Sequence, residues 1–340
     1  MEVLVTGGAG YVGSHVISEL IETDHDIISV DNLHKGHREA VLAGEFYCCD
    51  LADEKRINDI FSQHNIEAVI HLAADSLVGE SMEKPHKYYQ NNLSAGLNLL
   101  EIMLEHSVMN MVFSSTAAVY GQPENIPIEE SDPKNPSSPY GRSKLFYEEI
   151  LADYYRAYGL NYVSLRYFNA SGADPERNIG EDHDPETHLI PLVLKTALGQ
   201  RGKLQIFGTD YDTRDGTCIR DYVHVNDLAR AHIDALENIE EAAGRVYNLG
   251  SGDGYSVKEV IETAREVTGR AIEARPAERR AGDPPVLIAS SGKIKKELGW
   301  EREFKDLKKI IETAWRWHYN NPKGYEDDSS CDTGKEKPTQ

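Results

Sequence analysis

A glycine-rich segment near the N-terminus constrains the fold more than any other part of this sequence. Residues 6–13 read Thr-Gly-Gly-Ala-Gly-Tyr-Val-Gly, and they separate a short β-rich run from a segment of helical period. Between a strand and a helix, glycines permit a tight turn, let a pyrophosphate approach the backbone, and leave amide donors at the positive end of the helix. The segment therefore predicts a dinucleotide site that includes Gly7, Gly10, Tyr11, Val12 and Gly13.

The first half of the chain alternates β-rich runs with segments of helical period. Helical segments such as 11–21 and 53–61 separate strands that are predicted at 2–5, 26–30, 68–71, 109–114 and 161–165. Strands that alternate with helices form a parallel sheet covered on both faces. The predicted fold class is therefore α/β, with a Rossmann-like doubly wound parallel sheet.

The pattern changes after about residue 170. Loops rich in Asp, Gly, Pro and Thr follow at 172–184, 208–217 and 275–285. Apolar residues at helical spacing, which we expect to pack a smaller lobe, recur at 189–198, 227–236, 256–267 and 307–318. The predicted organisation is a mainly dinucleotide-binding domain at 1–170, a mainly substrate-binding C-terminal α/β lobe at 171–324 with some chain crossing back, and a disordered acidic tail at 325–340.

The charge balance excludes some partners. A formal net charge of −21 repels nucleic acids and anionic membranes at long range, so neither is an expected partner. No apolar run approaches the roughly 20 residues that span a bilayer, and the start of the chain shows no basic leader. The four cysteines, Cys48, Cys49, Cys218 and Cys331, form neither a C-x-x-C pair nor a framework of spaced partners, which favours a reducing cytoplasm.

An acidic residue at the end of the second predicted strand indicates which dinucleotide binds. Asp31 follows the last glycine of the segment by 18 positions, close to the offset of about 20 residues at which a carboxylate hydrogen-bonds the adenosine ribose. The same carboxylate would repel the 2′-phosphate of NADP, so NAD is the predicted cofactor, although Lys35 and Arg38 stand nearby. Asp50 and Leu51 are expected at the adenine, and the alternative for Asp50 is a cap of the next helix.

Tyr140 and Lys144 form a candidate acid/base pair. They are four positions apart at the start of a segment of helical period, so both side chains share one face. A tyrosine with a pKa of about 10 is a poor base at neutral pH, and we expect Lys144 and the nicotinamide ring of NAD to lower that pKa by favouring the phenolate. The preceding strand ends at Thr116, whose hydroxyl would lie at the ligand-binding edge of the sheet. The alternative is a surface tyrosine beside a solvated lysine.

Together these motifs resemble the extended short-chain dehydrogenase/reductase family, from residue 1 to about residue 319. The matching segments, besides Tyr140 and Lys144, are 7–13, 30–33, 71–74, 78–81, 88–92, 114–121, 165–169, 188–191, 206–211, 215–217, 220–225 and 280–283. The resemblance implies an NAD-dependent epimerase that interconverts UDP-galactose and UDP-glucose. It further implies that Thr116, Tyr140 and Lys144 are catalytic, and that a 4-keto sugar forms by transient hydride transfer to tightly bound NAD.

The resemblance also implies binding residues and an oligomeric state. Further cofactor contacts are implied for Asn32, Leu72, Ala73, Ala74, Asn91, Ser114, Tyr140, Lys144 and Tyr167. Contacts with the UDP-sugar are implied for Ser115, Thr116, Asn169, His188, Leu189, Gln205, Phe207, Arg220, Tyr222, Arg280 and Asp283. A homodimer is implied through the helices around 82–106 and 140–158.

The arginines among these residues suit the chemistry of the expected substrate. A diphosphate inside so acidic a protein needs local cations, and arginine can bind phosphate oxygens in a bidentate manner. Arg220 and Arg280 are predicted to do so, and the alternative is that they form structural ion pairs with Asp221 and Asp283.

Two positions depart from the pattern of the family. Many relatives carry a lysine near the pyrophosphate where this chain has Ser76, which predicts weaker cofactor binding. Leu287 stands near the position whose size gates the sugar pocket, and its intermediate size leaves N-acetylated sugars open as substrates.

Other functions remain as alternatives. A nucleotide-sugar 4,6-dehydratase would carry Asp-Glu directly after the threonine, where this chain has Ala117 and Ala118. An epimerase of a UDP-linked N-acetylhexosamine, uronic acid or pentose would differ mainly in pocket shape. A non-catalytic NAD sensor should lack Tyr140 or Lys144. No metal site is expected at 181–188, because the run lacks His-x-x-x-His spacing and cysteine ligands.

Overall fold

The computed structural model describes residues 1–280, 283–326 and 331. Its strands are β1 Glu2–Thr6, β2 Asp26–Asp31, β3 Glu45–Cys48, β4 Ile66–His71, β5 Asn110–Thr116, β6 Asn161–Tyr167, β7 Asn169–Ser171, β8 Leu204–Phe207, β9 Ile219–Arg220, β10 Tyr222–His224, β11 Arg245–Leu249, β12 Tyr255–Ser256, β13 Ala274–Ala277 and β14 Val286–Leu287. Its helices are α1 Tyr11–Leu20, α2 Glu54–Gln63, α3 Val78–Glu83, α4 Pro85–Tyr89, α5 Ala95–Glu105, α6 Pro139–Tyr158, α7 Leu189–Ala197, α8 Val225–Glu237, α9 Val257–Thr268, α10 Gly292–Leu298 and α11 Leu307–Asn320. A π-helical segment, Gln90–Ser94, joins α4 to α5, and 3₁₀ turns occur at Arg38–Ala40 and Ala117–Val119.

Seven strands form the central sheet, in the order β11-β6-β5-β4-β1-β2-β3. All of its pairings are parallel. Strand β1 lies between β2 and β4, so the strand order reverses at β1. In open α/β sheets, ligands bind in the crevice at such a switch point, beyond the carboxyl ends of the strands. The predicted Rossmann-like fold is confirmed, and the topology indicates where its ligand site lies.

Helix α8 packs on this central sheet, which corrects the prediction that segment 227–236 packs the smaller lobe. Its side chains Leu228, Ala231 and Leu236 are buried in one apolar cluster with Val3 of β1 and Val16 of α1. The two helices pack against each other on the same face of the sheet. The helical spacing of apolar residues in α8 predicts that one face of the helix is buried. That spacing does not show which part of the fold packs against the face.

The opposite face of the central sheet is covered by α2, α5 and α6. The smaller lobe packs α7, α9 and α11 around a separate apolar cluster. Three short sheets accompany these helices, in the orders β10-β7, β12-β9-β14 and β13-β8. Strand β13 begins one residue before the stretch predicted as a loop at 275–285 and continues into it. Strand β11 returns from the second half of the chain to the central sheet.

The described residues after α11 contact the rest of the fold, including two that the sequence analysis placed in the tail. Tyr325 stacks on His37, with ring centroids 4.7 Å apart, and packs against Trp317. Cys331 forms a disulfide with Cys48, which corrects the expectation that the cysteines have no paired framework. The two cysteines are 283 positions apart, so their pairing has no local signature in the sequence. Residues 327–330 and 332–340 of the predicted tail lie outside the described residues.

Candidate active site

The glycine segment lies at the switch point of the sheet, between β1 and α1. Gly7 has a φ of +74°, and a Cβ on it would lie 2.7 Å from the backbone nitrogen of Ala73. Gly10 precedes α1 without a side-chain cap, and the first amides of a helix have no partner within it. The Leu72 amide, just beyond β4, donates to the Thr6 carbonyl at 3.1 Å and fixes the facing loop. This narrow cradle with free helix-terminal donors fits the pyrophosphate of a dinucleotide.

We expect Gly7→Ala to lower the affinity for NAD. The alanine would need a left-handed backbone and would press on the Ala73 backbone, a strain of about 1–3 kcal/mol, or roughly a tenfold to hundredfold loss of affinity. Calorimetric titration of cofactor-free protein with NAD measures this loss. Gly159→Ala is the control, because Gly159 has a φ of +77° at the end of α6 and an added methyl group would meet nothing within 4 Å. Equal affinities for the two variants would contradict the cradle.

Asp31, at the end of β2, faces the glycine segment. Its carboxylate accepts hydrogen bonds from the amides of Ala9 at 3.1 Å and Leu33 at 2.8 Å. Burial raises the pKa of Asp31, and these two amides oppose that shift. The neighbouring cations are engaged elsewhere, since Lys35 donates to a loop carbonyl and Arg38 lies 4.7 Å from the centre of an aromatic ring. This arrangement favours the unphosphorylated ribose of NAD.

Asn32 and Asp50 join the ends of β2 and β3. The amide of Asn32 donates to the carboxylate of Asp50 at 2.8 Å. The other oxygen of Asp50 accepts from the amide of Ala52 at 2.9 Å. Helix α2 is capped instead by Asp53, which accepts from the amide of Arg56. The alternative role of Asp50 as a helix cap is therefore wrong, and Asp50 stays a candidate for the adenine together with its neighbour in sequence, Leu51.

Lys87 places a cation close to the position where the family lysine is missing. Its amine lies 2.9 Å from the carboxylate of Asp75, which directly precedes Ser76. Asn91, the predicted cofactor residue, donates to the other oxygen of Asp75 at 3.2 Å. Lys87 and Asn91 are one helical turn apart, and that spacing was the signal in the sequence that could have identified Lys87.

Tyr140 is buried in the first turn of α6. Burial raises the pKa of Tyr140 well above its usual value, Tyr167 acts in the same direction, and a hydrogen bond with Thr116 opposes the shift. Lys144 lies one turn further along, where burial lowers its pKa to about 7. Its amine donates to the carbonyl of Ser114 at 2.7 Å. Without the cofactor, burial thus keeps this phenol protonated, and the lowering of its pKa by Lys144 together with NAD stays a prediction.

Ser114 and Ser115 point to opposite faces of β5, as consecutive residues of a strand do. The hydroxyl of Ser114 hydrogen-bonds Nε2 of His232 at 2.8 Å, and Ser114 also hydrogen-bonds Tyr167. Ser115 donates to the carboxylate of Glu148 and is 1% exposed, which corrects its predicted contact with the substrate. The sequence analysis missed His232. It could have been noticed as a polar residue on the otherwise apolar face of α8.

The two predicted arginines have different surroundings. Arg220 forms an ion pair with Asp283, whereas the guanidinium of Arg280 lies 4.2 Å from the ring centre of Phe207. The carboxylate of Asp221 accepts backbone amides instead, the shortest at 2.6 Å. Burial raises the pKa of Asp221 to about 6, and those amides oppose the shift. Arg220 therefore forms one of the two expected ion pairs, with Asp283, whereas Asp221 forms none, and binding of phosphate by the two arginines stays a prediction.

Two further substrate candidates meet in the small sheet formed by β7 and β10. Asn169 and Tyr222 are register partners there. The side-chain amide of Asn169 donates to the backbone carbonyl of Asp221 at 2.7 Å. Asp221 directly follows Arg220 in the sequence, so this hydrogen bond holds Asn169 next to the arginine. Gln205, on β8, is exposed and lies two positions before Phe207.

His188 and Leu189 stand at the start of α7. Nδ1 of His188 lies 2.7 Å from Glu181 and 3.2 Å from Glu186. Burial disfavours the charge on His188, but these two carboxylates outweigh burial and raise its pKa to about 10. Leu189 is partly buried against the core of the smaller lobe. The sequence analysis identified His188 but not the two carboxylates as its partners.

A small apolar cluster connects the smaller lobe to the end of β5. Val119, just after Thr116, packs in this cluster with Phe168 and Leu287. Leu287 is also the register partner of Arg220 between β14 and β9. The residue predicted to gate the sugar pocket thus lies between the catalytic candidates and an arginine predicted to bind UDP.

Comparison with known proteins gives a consistent picture. Residues 3–250 match the model of the NAD dependent epimerase/dehydratase family. The chain is 54% identical over 326 residues to a UDP-glucose 4-epimerase of Halalkalibacterium halodurans, covering 96% of this chain and 98% of that protein. It is 52% identical over 331 residues to a UDP-glucose 4-epimerase of Streptococcus mutans, covering 96% and 99%. The structure of a UDP-glucose 4-epimerase from Bifidobacterium longum in complex with NAD+ and UDP superposes with a TM-score of 0.91 at 41% identity, covering 96% of this chain and 100% of that one.

Proposed function

The chain belongs to the NAD dependent epimerase/dehydratase family, and we propose that within this family it is a UDP-glucose 4-epimerase. The observation that carries the proposal is the buried phenol of Tyr140, which is hydrogen-bonded to Thr116 and one helical turn from Lys144. These groups lie at the carboxyl ends of strands whose glycine segment fits a dinucleotide. The relatives at 54% and 52% identity support UDP-glucose and UDP-galactose as the substrate pair.

The residues of the chain supply proton transfer. The cradle at Gly7 would hold NAD, which would supply hydride transfer at C4 of the sugar. Tyr140 acts as a phenolate, a form that the positive charges of Lys144 and of the bound cofactor would favour, so it takes the proton of the 4-hydroxyl group and returns it to the 4-keto oxygen. Thr116 orients the phenol through their hydrogen bond. Lys144, whose pKa is lowered to about 7 by burial, is partly protonated at neutral pH and places positive charge on the same helix face.

The smaller lobe anchors the UDP group. Its cations offset the net charge of −21 that would otherwise oppose binding of a diphosphate. We assign this anchoring to Asn169, His188, Leu189, Gln205, Phe207, Arg220, Tyr222, Arg280 and Asp283. A substrate that is held by its diphosphate can turn its 4-keto sugar, so that either face of C4 meets the cofactor.

A dehydratase is disfavoured by the residues after Thr116. Elimination of water across C5 and C6 needs a further acid/base pair, and the corresponding positions are Ala117 and Ala118. In the structure these alanines begin a 3₁₀ turn that the Thr116 side chain caps through the Ala118 amide. Neither side chain can transfer a proton.

Conversion of UDP-galactose by the purified protein, without added NAD, tests the proposed function. We expect UDP-glucose to form until the two sugars reach equilibrium. The NAD content of the same sample is measured after acid release. Protein that contains NAD but does not convert UDP-galactose would contradict the substrate pair, and conversion of UDP-N-acetylglucosamine, UDP-glucuronate or a UDP-pentose instead would identify the alternative.

We also propose that the protein is a homodimer that associates through α5 and α6. Within the described part of these helices and of α3, large apolar side chains are exposed at Met82, Leu97 and Phe146. Burial of such side chains favours association. We expect light scattering to give twice the chain mass for the wild type at micromolar concentration and the single mass for Phe146→Glu. Leu42→Glu, an exposed leucine outside these helices, should remain dimeric, and a monomeric wild type would contradict the proposal.

We further propose a cytoplasmic location. Two observations support it: Cys49 and Cys218 are free thiols, and the proposed reaction needs NAD and UDP-sugars, which the cytoplasm supplies. Across the described ranges, no helix is long and apolar enough to cross a membrane. The Cys48–Cys331 disulfide is of a kind uncommon in the cytoplasm. Cell fractionation tests the location: we expect the protein in the cytosolic fraction, and its recovery outside that fraction would contradict the proposal.

A further inference from the structure

We propose that Glu181, His183, Glu186 and His188 bind a divalent transition-metal ion of the Zn²⁺ class. Each of the four side chains offers one ligand atom, and these atoms lie within 4.8 Å of one another. The sequence predicted no metal site here, because neither the spacing of the histidines nor a cysteine set suggested one. The fold creates the cluster by bending the loop before α7 so that both ends of the run meet.

The spacing of the ligand atoms suits a tetrahedral ion. Nδ1 of His183 lies 3.1 Å from Oε1 of Glu181 and 3.9 Å from Oε2 of Glu186. Nδ1 of His188 lies 2.7 Å from Oε1 of Glu181 and 3.2 Å from Oε1 of Glu186, so this nitrogen would bind the ion and leave Nε2 for the UDP group assigned to the same residue. Tetrahedral Zn²⁺ with ligands at about 2.0–2.1 Å separates them by about 3.3 Å, so an ion would draw together those of the four ligand atoms that lie farther apart, up to 4.8 Å.

An unpartnered atom points into the cluster. Oε1 of Glu186 accepts the backbone amides of Thr187 at 2.7 Å and His188 at 2.8 Å. Oε2 of Glu186 is buried without a hydrogen-bond partner, on a side chain that is 5% exposed. A buried carboxylate oxygen of this kind is costly unless it is paired or binds a metal. A divalent cation would satisfy this oxygen and would replace the proton that His188 shares with the two carboxylates.

The donor set indicates the class of ion. Two imidazoles and two carboxylates suit Zn²⁺ and similar transition metals, whereas Mg²⁺ and Ca²⁺ prefer all-oxygen sites. Four protein ligands leave no open position, as in structural zinc sites. Helix α11 holds the loop that carries these ligands, because Nε1 of its Trp317 donates to the backbone carbonyl of Glu181 at 3.1 Å. The ring of Tyr11 meets that of His183 edge-on at 6.1 Å, so the ion would connect the start of α1 with that of α7.

Metal binding by the whole, tag-free chain tests this proposal. Protein stripped with dipicolinate is titrated with Zn²⁺ by calorimetry and with Co²⁺ by visible absorption. We expect one ion per chain and the intense visible bands of four-coordinate Co²⁺, with no competition from Mg²⁺. A Co²⁺ spectrum that stays that of the hydrated ion would overturn the proposal without the need for any variant.

His183→Ala and Glu186→Gln are each expected to weaken Zn²⁺ binding by about a hundredfold or more, because even the outer partners of metal ligands contribute about 10- to 100-fold. The exposed residues His34 and Glu176 provide the matched controls His34→Ala and Glu176→Gln, which should bind as the wild type does. Retained NAD and an unchanged far-ultraviolet circular dichroism spectrum identify folded variants. Wild-type affinity in folded His183→Ala and Glu186→Gln would assign the ion to other residues and so overturn the site.

Discussion

Tyr140→Phe is expected to lower kcat for the interconversion of UDP-galactose and UDP-glucose by about a thousandfold, within the range of about 10²–10⁴ that general acid/base groups contribute. The substitution removes only the phenolic hydroxyl from a ring that is already buried. Without that hydroxyl, no group takes the 4-hydroxyl proton or returns it to the 4-keto oxygen. The measurement is the initial rate at saturating substrate, with NAD content determined on the same preparation.

Tyr155→Phe provides the matched control for this experiment. Tyr155 lies on the same helix, α6, but its side chain is exposed and outside the site. We expect this variant to keep the wild-type rate. A Tyr140→Phe enzyme that contains NAD and keeps more than about a tenth of the wild-type kcat would remove Tyr140 from the acid/base role.

Arg166→Met is expected to lower the free energy of unfolding by about 3–5 kcal/mol, because it leaves the Glu148 carboxylate as an uncompensated buried charge. The two side chains form an ion pair between β6 and α6, and they are 3% and 5% exposed. Arg166 also donates to the hydroxyl of Tyr120 at 2.8 Å, and Tyr120 donates to Asn248 of β11 at 2.7 Å. The substitution therefore disrupts hydrogen bonds that connect α6 with two strands. Urea unfolding, followed by circular dichroism, measures the change.

Two further variants separate the buried charge from other effects. Arg156→Met removes the ion pair with Asp153 on the surface of the same helix, where the two side chains are 72% and 68% exposed. We expect it to change the free energy of unfolding by less than about 1 kcal/mol. The double variant Arg166→Met with Glu148→Met removes both buried charges, and it should be more stable than Arg166→Met. A double variant less stable than the single one would show that lost packing, and not the unpaired carboxylate, causes the effect.

Features that depend on neighbouring residues could be predicted from the sequence. The alternation of strands and helices predicted the parallel sheet. The spacing of apolar residues within each segment showed whether that segment is a helix or a strand and which side of it is buried. The glycine segment predicted the cradle between β1 and α1, since the conformation of Gly7 is a local requirement of the turn. The separation of four positions between Tyr140 and Lys144 placed both on one face of α6, because helix geometry sets that relation.

Features that depend on distant contacts were decided only by the tertiary structure. Helix α8 packs on the central sheet, Cys48 pairs with Cys331, and Ser115 faces Glu148. The raised pKa of Tyr140 in the cofactor-free protein belongs with them, because it follows from burial by residues of distant segments. The sequence by itself thus determined the fold, the cofactor cradle and the candidate catalytic residues. The partners of each buried group were decided by packing between segments far apart in the chain, which no local pattern encodes.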